Sequence, residues 1–157
     1  MRIGFGYDVH RLKTGRKCIL CGVEIPSEFG PDGFSDADVP VHALMDAMLG
    51  ALALGDIGKH FPDTDTKWKD ANSIDLLREI YSLVTQKGYI IENADITIVA
   101  QEPRLSSYIE SMRDVLAKAI GTEVENISVK ATTEEKLGFT GDGSGISSTA
   151  VVLLKKA

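Results

Sequence analysis

Basic residues are in short supply in this chain. Its 157 residues include 17 Lys and Arg against 23 Asp and Glu, a net charge of −6, and no Lys/Arg run is longer than two. Duplex nucleic-acid binders and membrane-surface proteins need a basic face, so both classes are excluded. Long apolar runs are missing too: none approaches the roughly 18 residues of a membrane-spanning helix. Met1 leads straight into RIGFGYDV, without the basic segment, apolar core and cleavage site of an export signal, and the cytoplasm is the expected compartment. Cysteine is confined to Cys18 and Cys21. With no second pair to complete a tetrahedral site, they read as small apolar residues on opposite faces of a strand, in preference to a redox pair or half a metal site. The acidic balance does not forbid a phosphorylated substrate, but something other than Lys and Arg must then offset the phosphates.

What is present suits one domain, residues 1–157, long enough to bury about 70% of its unfolded surface without staples. Val, Ile and aromatics over Arg2 to Arg11 and Lys17 to Ile25, around Thr14-Gly15, predict two antiparallel strands and a short turn. Pro26 to Asp38 reads as a loop. Val41 to Leu54 is apolar nearly all round, which predicts a buried helix with Asp38 as N-cap, Pro40 in the first turn and Gly55 as the stop. A second loop spans Asp56 to Lys69. Helical spacing marks Asn72 to Gln86, closed by Gly88, and Leu105 to Ile120, stopped by Gly121. Tyr89 to Gln101, Ile127 to Thr132 and Ile146 to Leu154 read as strands. The order β-β-α-α-β-α-β-β predicts an α+β fold of two layers, a mixed β-sheet with helices packed on one face.

Four groups of residues carry chemistry. Asp8 and His10, two apart on a strand, project to one face, which suits either two ligands of one divalent ion or a surface ion pair. His42, in the first turn of the apolar helix, is the natural third ligand. Asp46, one turn on, is placed to accept from its other ring nitrogen, with or without a metal. Three protein ligands and an open fourth position describe a catalytic zinc. Ser35-Asp36-Ala37-Asp38 supplies helix caps and, in Ser35, a donor for a phosphate oxygen. GDIGKHFPDTD (55–65) offers carboxylates and glycines for a sugar diol or a hard cation, without the spacing of an EF-hand, and His60 in it reads as a loop histidine. KATTEEKLGF (130–139) ends a strand with adjacent Thr hydroxyls suited to phosphate and a Glu suited to Mg²⁺; it contains no Walker A motif.

Taken together, GYDVHR (6–11), SDADV with HALMDAMLGAL and GDIGKHFPDTD (35–65), AQEPRL (100–105) and KATTEEKLGFTG (130–141) resemble the 2-C-methyl-D-erythritol 2,4-cyclodiphosphate synthase family, in order and over essentially the whole chain. The resemblance implies cyclisation of 4-diphosphocytidyl-2-C-methyl-D-erythritol 2-phosphate, with CMP as leaving group, in non-mevalonate isoprenoid synthesis. It implies Zn²⁺ on Asp8, His10 and His42, with substrate phosphate as fourth ligand, and Mg²⁺ or Mn²⁺ at Glu135. Thr133 would stabilise the transition state. Ala100, Arg104, Leu105, Ala131, Thr132 and Phe139 would face the cytidyl diphosphate end. Asp56, Gly58 and the loop from Phe61 through Asp63 to Asp65 would line the methylerythritol pocket and hold its hydroxyls, with Ser35 and Ile57 also contacting substrate. A homotrimer with sites at subunit boundaries is implied as well. Two positions depart from the family pattern: Phe34 stands where His is common and Asp142 where many relatives have Arg, so neither role is carried over. A zinc-dependent phosphohydrolase and a non-catalytic trimer binding isoprenoid diphosphates or nucleotides are the competing expectations.

Overall fold

Thirteen residues of unbroken strand open the chain in the computed structural model, which describes residues 1–157. Strand β1 (Arg2–Thr14) is followed by β2 (Cys18–Leu20), β3 (Val23–Ile25) and β4 (Phe29–Pro31). Then come helix α1 (Val39–Ala51), the single turn α2 (Ile57–His60) and α3 (Ser73–Gln86). Strand β5 (Tyr89–Val99), helix α4 (Ile109–Ile120), strand β6 (Ile127–Thr132), the short α5 (Gly138–Gly141) and β7 (Gly145–Lys156) complete the chain. Five strands form one sheet in the order β4-β1-β7-β5-β6. All its pairings are antiparallel except β5 with β6, which α4 connects as a crossover.

Helix α1 is apolar nearly all round because β1 and β7 lie beneath it and α3 alongside. Asp38 caps it, accepting from the Val41 N–H, and Pro40 sits in its first turn. The helix stops at Ala51, short of the expected Leu54. It lies on Gly4 and Gly6 of β1, where an added Cβ would stand 1.8 Å and 1.9 Å from the carbonyl oxygens of Ala47 and Ala43. Only glycine permits that approach. α3 and α4 pack on the same side, over one cluster of 34 buried residues. The expected α+β architecture, a mixed sheet with helices on one face, is the one observed. No helix is long and apolar enough to cross a membrane. On the uncovered face β1 exposes Ile3, Phe5, Tyr7 and Val9, beside Val151 of β7.

The predicted strand from Lys17 to Ile25 is corrected. Cys21 and Gly22 both have positive φ (51° and 73°) and fold β2 back on β3 as a separate two-stranded sheet. β1 instead pairs with β4 and β7. Cys18 and Cys21 are consequently not on opposite faces of a strand: both are buried in the core as free thiols. Burial raises Cys18 to about 11 and Cys21 well above its ordinary value, which makes them inert.

Candidate metal centre and active site

Side chains on β1 alternate, so Asp8 and His10 continue the row begun by Gly4 and Gly6 and face α1. Because the helix lies so close, His42 in its first turn meets them. Its Nδ1 is 3.1 Å from Asp8 Oδ2, and His10 Nε2 is 3.2 Å from the same oxygen. One ligand atom from each of the three residues lies within 4.8 Å of the others. A carboxylate and two imidazoles converging in this way are a donor set for a divalent transition ion, and the residues fit a three-ligand site with an open position. Burial alone would raise the Asp8 carboxyl, but hydrogen bonds and charge from His10 and His42 outweigh it and hold the group below its usual range. The hydrogen bond with Asp8 raises His10, against burial.

The ring of His10 is oriented from outside. Its Nδ1–H donates to the Asp32 carbonyl at 2.8 Å, leaving Nε2 for the centre. Gly33 lies against that ring, since a Cβ there would be 2.7 Å from His10 Cε1. The Arg16 guanidinium clamps this loop, donating to the carbonyls of Pro31, Gly33 and Ser35 at 3.1–3.3 Å. None of these supports is visible in the sequence, because the acceptors are main-chain atoms. His42 Nε2 lies 3.0 Å from Ser73 Oγ and 3.3 Å from Ser35 Oγ. Asp46 is therefore not its partner, contrary to the helix-spacing expectation. Asp46 Oδ1 accepts the Ile57 N–H at 2.8 Å and holds α2 in place, and burial raises its pKa. Asp38 accepts from the N–H groups of Cys21 and Gly22, 2.8 and 2.6 Å away, and burial pushes its carboxyl up to about 7.

A cavity of about 420 Å³ opens above the triad, and Ser35, Ile57, Gly58, Phe61 and Asp63 line it as a group. Phe34, Pro62, Thr64 and Trp68 join them, with Phe61 and Trp68 edge to face at 4.8 Å. Asp56 and Asp65 are not among the lining residues; each caps a short helical turn instead. The His60 ring donates to the Leu54 carbonyl, outside the triad. A second cavity, about 510 Å³, gathers Ala100, Arg104, Leu105, Ala131, Thr132 and Thr133. Glu135 follows it on an exposed turn in which both Glu135 (φ 53°) and Lys136 (φ 67°) are left-handed, a conformation that costs non-glycine residues about 1 kcal/mol each. The turn is tied down by the buried Thr140 hydroxyl, which donates to Glu134. Phe139 packs against Gly145, and Asp142 accepts the Ser144 N–H at 2.8 Å, closing the turn into β7.

The model of the YgbB family matches residues 1–155. The chain belongs to the YgbB family. Among its members, a 2-C-methyl-D-erythritol 2,4-cyclodiphosphate synthase of Moorella thermoacetica is 62% identical, over 98% of this chain and 94% of that protein. The synthase of Clostridioides difficile is 59% identical, over 98% and 96%. A solved 2C-methyl-D-erythritol-2,4-cyclodiphosphate synthase in its CDP-bound form superposes with a TM-score of 0.90 at 39% identity, covering 98% of this chain and all of that one. The bifunctional IspDF of Campylobacter jejuni reaches 0.96 at 42% identity over 99% of this chain, which spans 42% of that longer protein. YgbB relatives of this closeness are enzymes, lyases of isoprenoid biosynthesis, and the Asp8–His10–His42 cluster fits their dependence on metal.

Proposed function

We propose that this YgbB-family chain cyclises 4-diphosphocytidyl-2-C-methyl-D-erythritol 2-phosphate to 2-C-methyl-D-erythritol 2,4-cyclodiphosphate and releases CMP. The observation that carries this reading is the convergence of Asp8, His10 and His42 at a cavity walled by the GDIGKHFPDTD loop. An oxygen of the 2-phosphate attacks the β-phosphorus, the bond from that phosphorus to the bridging oxygen breaks, and the α-phosphate departs within CMP. Atoms balance without water, so the chemistry depends on positioning and charge neutralisation.

Asp8, His10 and His42 would hold Zn²⁺ and Glu135 would contribute to a Mg²⁺ or Mn²⁺ site. When bound, these ions polarise phosphoryl oxygens and supply the positive charge that a chain of net −6 does not. Ser35 Oγ, on the cavity wall beside His42, donates to a phosphate oxygen. Asp63 and the Gly58 backbone take the methylerythritol hydroxyls, with Ile57 on the wall beside them and Asp56 and Asp65 behind. Phe34, Phe61 and Trp68 keep water from competing with the internal nucleophile. Thr133 donates to the charge developing on phosphorus. Ala100, Arg104, Leu105, Ala131, Thr132 and Phe139 receive the cytidyl diphosphate end. The two cavities share no residue within one chain. A homotrimer that joins the first cavity of one subunit to the second of its neighbour completes the site, and the exposed apolar row on β1 supports that assembly.

CMP release from the cytidyl substrate with Zn²⁺ and Mg²⁺ saturating, run in ¹⁸O-water, tests the reading. CMP should appear with no label in either product. Label entering a product would indicate a phosphohydrolase, and CMP release at background would indicate a binding module.

A further inference from the structure

Through its other ring nitrogen His42 is joined to a pair, Ser73 and then Asp36, that the proposed reaction does not use. Ser73 is the first residue of α3 and fully buried, and its Oγ is 3.0 Å from His42 Nε2. The Ser73 hydroxyl donates to Asp36 Oδ1 in a very short contact, and the Ser73 N–H donates to Asp36 Oδ2 at 2.9 Å. We infer that Ser73 and Asp36 act in series as positioning residues, fixing the tautomer and ring plane of His42 so that Nδ1 faces the metal position with its lone pair.

The direction of each bond follows from donor counting. A carboxylate only accepts, so the single hydroxyl proton of Ser73 is committed to Asp36. Ser73 Oγ can then only accept from His42, which puts the imidazole proton on Nε2 and leaves Nδ1 bare. Nδ1, bare when the ring serves as a ligand, stands 3.1 Å from Asp8 Oδ2, and a divalent cation between the ligands takes the place of the hydrogen bond that joins the two without it. Ser35 Oγ, at 3.3 Å from Nε2, is the weaker partner; it already accepts the Ala37 N–H at 3.2 Å. With His42 and Ser73 both buried, little water reaches the bond between them. The main chain keeps the acceptor in place, because the Asp36 N–H donates to the Ala71 carbonyl at 3.1 Å, just ahead of α3. The two histidines are thus set by opposite nitrogens, His10 through Nδ1–H on a carbonyl and His42 through Nε2–H on a hydroxyl.

This inference rests on the metal-centre reading, and its test separates the two. In Asp36→Asn, an amide NH₂ set against the Ser73 N–H would oppose donor to donor, so it turns toward Ser73 Oγ instead. The Ser73 proton then swings to His42 Nε2 and drives the imidazole proton onto Nδ1, the wrong tautomer for ligation. Zinc affinity, measured by competition with a chromogenic chelator, should fall at least about 10-fold in Asp36→Asn and about 10-fold or more in Ser73→Ala. In the Ser73→Ala background, adding Asp36→Asn should cost less than about twofold more, because the series is already broken. The Co²⁺-loaded Ser73→Ala protein should show an altered visible absorption band, which a purely structural role for Ser73 would leave alone. Thermal unfolding in chelator reads folding separately from affinity. Wild-type zinc affinity in both single variants overturns the inference. So does an undiminished effect of Asp36→Asn in the Ser73→Ala background, since Asp36 would then serve only the α3 N-terminus. A wild-type protein that binds no zinc overturns the metal centre itself.

Discussion

Gly6→Ala should disable the metal centre while leaving the chain folded. The new Cβ would sit 1.9 Å from the Ala43 carbonyl oxygen, where contacts under 3.0 Å are essentially never seen, so α1 and β1 must part by about 1 Å. Overpacking of this kind costs about 1–3 kcal/mol, which a domain of this size survives. The metal centre has far less slack. Asp8 and His10 ride on β1 and His42 on α1, and metal–ligand distances tolerate only about 0.2 Å. A shift five times that tolerance takes His42 out of reach. Zinc affinity should then fall by more than the 10–100-fold that loss of an outer hydrogen-bond partner costs. Zinc stoichiometry by elemental analysis, chelator competition and urea unfolding together read the two effects. Gly50→Ala, on the same helix with only the Phe5 carbonyl oxygen 3.8 Å from its Cβ, is the control. It should bind zinc normally and gain up to about 1 kcal/mol. Wild-type zinc affinity in Gly6→Ala would refute the claim that the glycine contact sets the ligand geometry.

His42→Ala should lose bound zinc and CMP release together; stoichiometric zinc with normal turnover would remove His42 from the ligand set. Chelation should lower the Tm of the wild type, and added zinc should restore it, because the ion binds only the folded chain. Asp38 gives a pH prediction. Its folded pKa of about 7 lies above the ordinary 3.8, so folding takes up a proton, and stability falls as pH rises from about 4 to 7 before levelling off. Urea midpoints in chelator should show that slope in the wild type and a shallower one in Asp38→Asn; equal slopes would refute it. Phe5→Glu, on the exposed row of β1, should leave secondary structure intact and yield monomers by sedimentation, whereas an unchanged oligomer would place the subunit interface elsewhere.

Much of the fold was readable because local and tertiary signals agree. α1 shows its burial in composition and its start in Asp38 and Pro40, and α4 ends at Gly121, left-handed at φ 66°. β2 and β3 are not readable, because the apolar run from Cys18 to Val23 hides a two-residue turn whose first member is a cysteine at positive φ. The full length of β1 is not readable, since Leu12 to Thr14 gain a partner only when β4 returns from the loop. At the site, residue type and spacing pointed to Asp8, His10 and His42. Their supports carry no such signal: Ser73 reads as an ordinary helix start, Asp36 as a cap, and the Asp32 carbonyl as nothing at all. Asp46 misled because helical spacing says which residues can meet, while the Ile57 N–H of an adjoining turn competes for the same carboxylate.

On β1, Gly4, Gly6, Asp8 and His10 alternate with Ile3, Phe5, Tyr7 and Val9, the first set under α1 and the second in the open. Inserting or deleting one residue there would exchange the two sets at a stroke, sending the ligands outward and bulky side chains into the space where the helix rests. The strand therefore tolerates a change of side chain on its open face far better than a change of reading frame, because a single frameshift moves both faces together.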